Sequence, residues 1–265
     1  MHLQTQYLPP ASKHPVQPSK LSYLCQSHQR AWLNPLTEKK LSNILPGIAA
    51  NTFSILADSI STFAGYVPEE NELFYPKDGV DVVDVSQTWW HILSKRTGLS
   101  LLVNESYSGS RVSRTGNRPI TSSFLDEKRQ SPLCGDIIII FGGTNDWGAK
   151  EQPATKEIFT EAYRNLVEMM LKRHTKSKLY FCTPLQRTDH ALTEQNIHGW
   201  TQLDLADSIR SIVADYPKAH LIDLALHPIT EGDGMLTDGL HPTRMGMEVL
   251  ASLMQAGLNL VMDYQ

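Results

Sequence analysis

The segment Asp136–Phe141, which contains four consecutive isoleucines, constrains the fold more than any other part of the chain. Its apolar residues do not alternate with polar ones, which is typical of a strand that is covered on both faces. Strands of this kind occur in parallel sheets, where helices pack on both sides. The segment therefore predicts a central strand of an α/β domain.

Four other segments of the chain are also predicted to be strands. Segments 53–57, 99–104, 179–183 and 220–225 have the composition of strands. Between most of these strands, apolar residues recur at helical spacing, which predicts helices over 86–96, 156–174 and 201–215. A last helix is expected to begin at Pro242. Strands that alternate with helices predict parallel βαβ units. The fold class expected is α/β, a three-layer α/β/α sandwich with a mainly parallel five-stranded sheet.

The first part of the chain differs in composition from the rest. Six prolines lie within residues 1–50, and no acidic residue precedes Glu38. Frequent prolines interrupt helices and strands, which disfavours a regular fold over this segment. We expect residues 1–50 to be a partly disordered N-terminal extension and residues 51–265 to form one domain.

Composition excludes several classes of partner. The chain carries 24 Lys and Arg against 28 Asp and Glu, so its net charge of −4 predicts no nucleic-acid binding. No apolar run reaches the ~18–20 residues needed for membrane insertion, and the N-terminus lacks a secretory signal pattern.

Cys25, Cys134 and Cys182 are widely spaced, which argues against a disulfide framework and a structural zinc site. The expected location is cytoplasmic.

Candidate functional residues follow the predicted strands. Ser59 comes after the first strand, Gly109 after the second and Asn145 after the third, while Asp238 and His241 precede the last helix. The carboxyl ends of parallel strands meet at one edge of a sheet, where ligands bind in open α/β folds. These five residues are therefore expected to form one site.

The chemistry of these residues suggests their roles. His241 precedes a proline, which keeps it outside the last helix, so its imidazole can reach Ser59 as a base. Asp238 lies three residues earlier and can bond the other ring nitrogen. The backbone N–H groups of Ser59 and Gly109 and the side-chain amide of Asn145 would be oxyanion donors. Each signal alone has a structural alternative, such as a turn residue or a helix cap.

Together, these motifs resemble those of the SGNH (GDSL-type) hydrolases. The matching blocks are Ala57-Asp58-Ser59, Gly109, Gly143-Thr-Asn-Asp146 and Asp238-Gly-Leu-His241, within about residues 52–258. The resemblance implies a serine-dependent esterase or acylhydrolase with an acyl-enzyme mechanism and no cofactor or metal. The family's first glycine is Ala57 here, and its methyl group is expected to crowd the turn slightly.

The function expected is hydrolysis of a carboxylic ester that is small or linked to a carbohydrate, with release of an acetyl or another short acyl group. Three alternatives stay open: a lipase or thioesterase for longer chains, an acyltransferase with the same triad, and a non-catalytic carbohydrate-binding relative. Trp147 and Arg111 are expected to bind the substrate, whereas Asp146 is expected to organise its loop. Trp89 and Trp90 could line a pocket, although at least one is expected in the core.

Overall fold

A computed structural model describes residues 50–230 and 232–259, so the predicted N-terminal extension lies almost wholly outside the described residues. The five strands are β1 (Thr52–Ala57), β2 (Ser100–Ser106), β3 (Ile137–Phe141), β4 (Lys178–Cys182) and β5 (Ala219–Ile222). They form one parallel sheet in the order β2-β1-β3-β4-β5. The predicted parallel five-stranded sheet is confirmed.

Helices cover both faces of this sheet. They are α1 (Trp89–Thr97), α2 (Glu127–Gln130), α3 (Thr144–Gly148), α4 (Lys156–Arg173), α5 (Gln202–Ala214) and α6 (Arg244–Gly257). Apolar residues of α1 and α6 share one core cluster with the sheet, and those of α4 and α5 share the other. The fold is therefore the expected three-layer α/β/α sandwich.

The position of β3 between two core clusters explains why its consecutive residues are all apolar. Ile137, Ile139 and Phe141 belong to the cluster with α1 and α6, whereas Ile138 and Ile140 belong to the cluster with α4 and α5. All five side chains are at most 2% exposed. Burial of one such side chain stabilises a fold by about 1.5–3 kcal/mol, so this short strand contributes to both cores.

Three element boundaries differ from those predicted. Helix α1 begins at Trp89 because 85–87 forms a separate 3-10 turn with its own capping box. Strand β5 ends at Ile222, since the next carboxylate, Asp223, accepts hydrogen bonds from Thr183 and Arg210. Pro242 does not open the last helix, which is capped by the Thr243 hydroxyl.

Two short helices, α2 and α3, were not predicted, and one prediction about the cysteines is wrong. The segment after β3 forms the single turn α3 although Thr, Asn, Asp and Gly are poor helix formers. Cys182 is a buried free thiol on β4. Cys134 is disulfide-bonded, so the sequence argument against disulfide bonding is wrong for this residue.

Candidate active site

The turn that carries Ser59 continues directly from β1. Asp58 caps a 3-10 turn over Ser59–Ser61, and its carboxylate accepts a hydrogen bond from the Ile60 N–H at 3.1 Å. The Thr62 hydroxyl donates to the Ser59 carbonyl at 2.9 Å. These local bonds fix the serine at the carboxyl edge of the sheet, where it is 3% exposed.

Helix α1 holds the same turn from one side. The indole N–H of Trp89 donates to the Ser61 hydroxyl at 3.0 Å, and that of Trp90 donates to the Ser61 carbonyl at 3.1 Å. The Asn104 amide on β2 donates to the same carbonyl at 2.9 Å. Both tryptophans are at most 2% exposed, so they are core residues that support the serine turn.

Ala57 occupies the position of the family glycine without strain. It pairs with Ser106 and Phe141 in the sheet and packs in the core with no exposed surface. Its backbone is that of a strand and is not left-handed, so a methyl group costs nothing in conformation here. The expectation that this methyl group crowds the turn is therefore wrong.

A chain of two hydrogen bonds joins the candidate triad. His241 Nε2 lies 2.8 Å from Ser59 Oγ, and its Nδ1 lies 2.8 Å from Asp238 Oδ2. The other oxygen of Asp238 accepts the backbone N–H groups of Leu240 and His241 at 3.1 and 2.8 Å. Gly239 has φ +76°, and this left-handed conformation lets the carboxylate turn back toward the imidazole.

The surroundings of Asp238 keep it ionised. Burial raises its pKa, but the hydrogen bonds from the His241 ring and backbone outweigh that effect and lower the pKa to about 2. A carboxylate at this place favours the tautomer with a proton on Nδ1. Nε2 is then free to accept the proton of Ser59.

The loop after β2 brings Gly109 to the same edge. The Tyr107 N–H donates to the Ala57 carbonyl at 3.1 Å, and the Asn145 amide on α3 donates to the Ser110 carbonyl at 3.0 Å. Gly109 has φ +72°, and a Cβ there would lie 2.0 Å from a guanidinium nitrogen of Arg118. Among the described residues, nothing accepts the N–H groups of Ser59 and Gly109, which leaves both as free donors.

Asp146 organises its loop, as the sequence predicts. It has no exposed surface, and its two oxygens accept the N–H groups of Val112 and Ser113 at 2.8 Å each. Burial raises its pKa to about 6 despite these bonds. The side chain therefore ties α3, and with it Asn145, to the loop beyond Gly109.

Sequence reasoning missed Arg129, which lies in an irregular polar stretch. Its buried guanidinium donates to the carbonyls of Ala57, at 2.8 Å, of Glu105 and of Ser122. Burial lowers its pKa to about 10. The side chain braces the ends of β1 and β2 next to Ser59, and no motif or spacing in the sequence identifies it.

The two predicted substrate-binding residues, Trp147 and Arg111, are both buried. Trp147 is 2% exposed in the core with α4 and α5, and its indole donates to the Trp200 carbonyl at 2.8 Å. Arg111 is 6% exposed, and its guanidinium donates to the carbonyls of Glu151 and Gln152 at 2.8 and 2.6 Å. Both side chains hold loops together, and substrate binding by either of them stays a prediction.

The described residues contain neither a metal-binding cluster nor a membrane-spanning helix. Within 50–230 and 232–259, no group of three or more His, Cys, Asp or Glu side chains could hold a metal ion. No helix in that part of the chain is long and apolar enough to span a membrane.

Comparison with known proteins places this geometry in context. The family model for GDSL-like lipase/acylhydrolase matches residues 51–258. A candidate GDSL-like lipase of Bacteroides ovatus is 30% identical, with 80% of this chain and 99% of that one covered and a TM-score of 0.60. A candidate GDSL-like lipase of Bacteroides uniformis is 27% identical, with coverages of 79% and 96% and a TM-score of 0.58.

A more distant structure shares the fold alone. The family two carbohydrate esterase of Clostridium thermocellum, solved in complex with cellohexaose, is 17% identical. The likeness covers 79% of this chain and 63% of that one, with a TM-score of 0.54. No curated protein matches the chain in sequence.

Proposed function

The chain belongs to the GDSL-like lipase/acylhydrolase family and is an ester hydrolase, and from this premise we propose that Ser59 is its nucleophile, with His241 and Asp238 as the base and its orienting acid. The observation that carries the proposal is the continuous hydrogen-bond chain from Ser59 Oγ through both ring nitrogens of His241 to Asp238. A serine needs such a base to attack an ester near neutral pH.

The reaction then runs in two halves. Ser59 Oγ attacks the ester carbonyl carbon while His241 Nε2 takes the hydroxyl proton, and Asp238 stabilises the imidazolium. The N–H groups of Ser59 and Gly109 and the free amide N–H of Asn145 stabilise the oxyanion. His241 gives its proton to the leaving alcohol, which leaves an acyl-enzyme. Water attacks that ester, His241 takes one of its protons, and the carboxylic acid departs as Ser59 regains its hydrogen.

The acyl group of the substrate is short, with acetyl as the first candidate. Ser59 is 3% exposed and His241 is 8% exposed, so little open surface surrounds the reacting atoms. A narrow acyl group fits such a site better than a long chain does. The fold shared with a carbohydrate esterase supports a small or carbohydrate-linked alcohol as the other part of the ester.

Hydrolysis of p-nitrophenyl acetate, butyrate, octanoate and palmitate tests both the proposed nucleophile and the proposed length of the acyl group. Ser59→Ala should lower kcat on the acetate by at least ~10³-fold, the scale seen when a triad member is removed. Ser131→Ala is the matched control, because this serine is exposed and its hydroxyl has no hydrogen-bond partner among the described residues.

The outcomes separate the alternatives. Equal rates for Ser59→Ala and Ser131→Ala would rule out Ser59 as the nucleophile. If both rates equalled the uncatalysed background, a non-catalytic carbohydrate-binding relative would be favoured. A preference for octanoate or palmitate would move the substrate class to lipids or thioesters. Transfer of the acyl group to an added sugar, in place of hydrolysis, would indicate an acyltransferase.

A further inference from the structure

Phe74, which no motif in the sequence marks, lies flat on the candidate base. The ring centroids of Phe74 and His241 are 3.4 Å apart, and the two planes differ by 9°. Phe74 is itself half-buried, in the long segment between the serine turn and α1. One face of the imidazole is therefore covered by an aromatic ring.

The hydrogen bonds of His241 leave one motion of its ring unrestrained. Both bonds lie at ring nitrogens, one toward Ser59 and one toward Asp238. Rotation of the ring about the line through these nitrogens keeps both bonds roughly in place but tilts the acceptor lone pair away from the serine. A flat contact on the ring face opposes this tilt, because any rotation drives ring atoms into the stacked neighbour.

Hydrogen bonds connect the segment of Phe74 to the turn of the candidate nucleophile and to the loop of the candidate base. Its backbone N–H donates to the Thr62 hydroxyl at 2.9 Å, and that hydroxyl donates to the Ser59 carbonyl at 2.9 Å. The next residue, Tyr75, is fully buried and donates its phenol hydroxyl to the Pro242 carbonyl at 2.8 Å. The stacked ring thus shares its supports with the nucleophile turn and with the histidine loop.

We infer that Phe74 is a positioning residue, whose ring holds the His241 imidazole in the plane from which it takes the proton of Ser59. This role rests on the proposed function, since it concerns the same base. Hydrogen-bond direction affects proton transfer in the transition state more than it affects substrate binding. The loss of the ring should therefore lower kcat and leave KM almost unchanged.

The test compares Phe74→Leu with Phe74→Tyr on p-nitrophenyl acetate. We expect Phe74→Leu to lower kcat about tenfold or more with KM within about twofold, the scale of a misplaced general base. Phe74→Tyr keeps a flat ring and should retain at least half of the wild-type kcat. Leu73→Ala is the control, because Leu73 is adjacent and 45% exposed.

Three results would overturn the inference: a kcat of Phe74→Leu within twofold of wild type, a loss carried by KM, or equal losses for Phe74→Leu and Phe74→Tyr. Urea midpoints of all variants show whether each is folded, and Phe74→Met replaces Phe74→Leu if the latter is not. The parallel Ser59→Ala variant separates the two proposals. If Ser59→Ala loses activity while Phe74→Leu stays fully active, the role of Phe74 is refuted and the role of Ser59 as nucleophile is not.

Discussion

Replacement of Arg129 by methionine should destabilise the protein strongly although this residue forms part of no recognised motif. Methionine keeps much of the length and apolar volume of the side chain but removes every donor. The carbonyls of Ala57, Glu105 and Ser122 then lose a charged partner in the interior. A buried acceptor left without its partner costs about 1–3 kcal/mol.

The structure sets the size of the effect. The Ala57 carbonyl also accepts the Tyr107 N–H at 3.1 Å, so its loss is partly compensated. The three charge-assisted hydrogen bonds together set the cost, and it is partly offset because a cation, whose pKa burial lowers to about 10, is no longer buried. The expected net loss of unfolding free energy is about 3 kcal/mol, within the range for broken buried charge networks.

Urea denaturation followed by tryptophan fluorescence measures this loss. With an m-value of about 3 kcal/mol/M, the midpoint should fall by about 1 M. Lys128→Met is the matched control, because the adjacent lysine is exposed and its substitution should move the midpoint little. If Arg129→Met shifts the midpoint no more than Lys128→Met does, the guanidinium does not brace the strand ends, and the reasoning fails.

Three further outcomes follow from the site. Asn145→Ala should lower kcat by about 10²–10³-fold in steady-state assays with little change in KM, as for an oxyanion donor, and an unchanged kcat would refute that role. Burial raises the pKa of Asp58 to about 7, so its folded-state penalty grows as pH rises from about 4 to 7. Asp58→Asn should therefore stabilise the protein by up to ~4 kcal/mol in urea titrations at pH 8 and not at pH 4, and equal effects at both would contradict this. Trp147→Phe should lower the urea midpoint but keep KM within about twofold, and a large rise in KM would restore Trp147 as a substrate contact.

The sheet and its carboxyl edge could be predicted because they depend on repeated local patterns. An unbroken apolar run such as that of β3 is typical of a strand that is buried on both faces. Residues that follow parallel strands must lie at the same edge of the sheet. This is why Ser59 and His241, which are distant in sequence, meet at that edge in the structure. The order of the strands was not predicted, since it depends on contacts far apart in sequence.

The supports of the site escaped prediction for the same reason. Arg129 and Phe74 act through partners that lie 72 and 167 residues away, at Ala57 and His241. Trp147 follows a conspicuous motif, yet the single turn of α3 directs it into the core. Side-chain direction after a strand depends on one or two backbone angles, which composition does not determine.

The separation of Ser59 and His241 along the chain has a consequence for the time at which the protein becomes reactive. The two side chains that share the proton are 182 residues apart, at the first strand and just before the last helix. Ribosomes add about 5–20 residues per second, so His241 is made on the order of 10 to 40 s after Ser59. Throughout that interval Ser59 lacks its hydrogen-bond partner, and under the proposed mechanism a chain that stops before His241 cannot attack an ester.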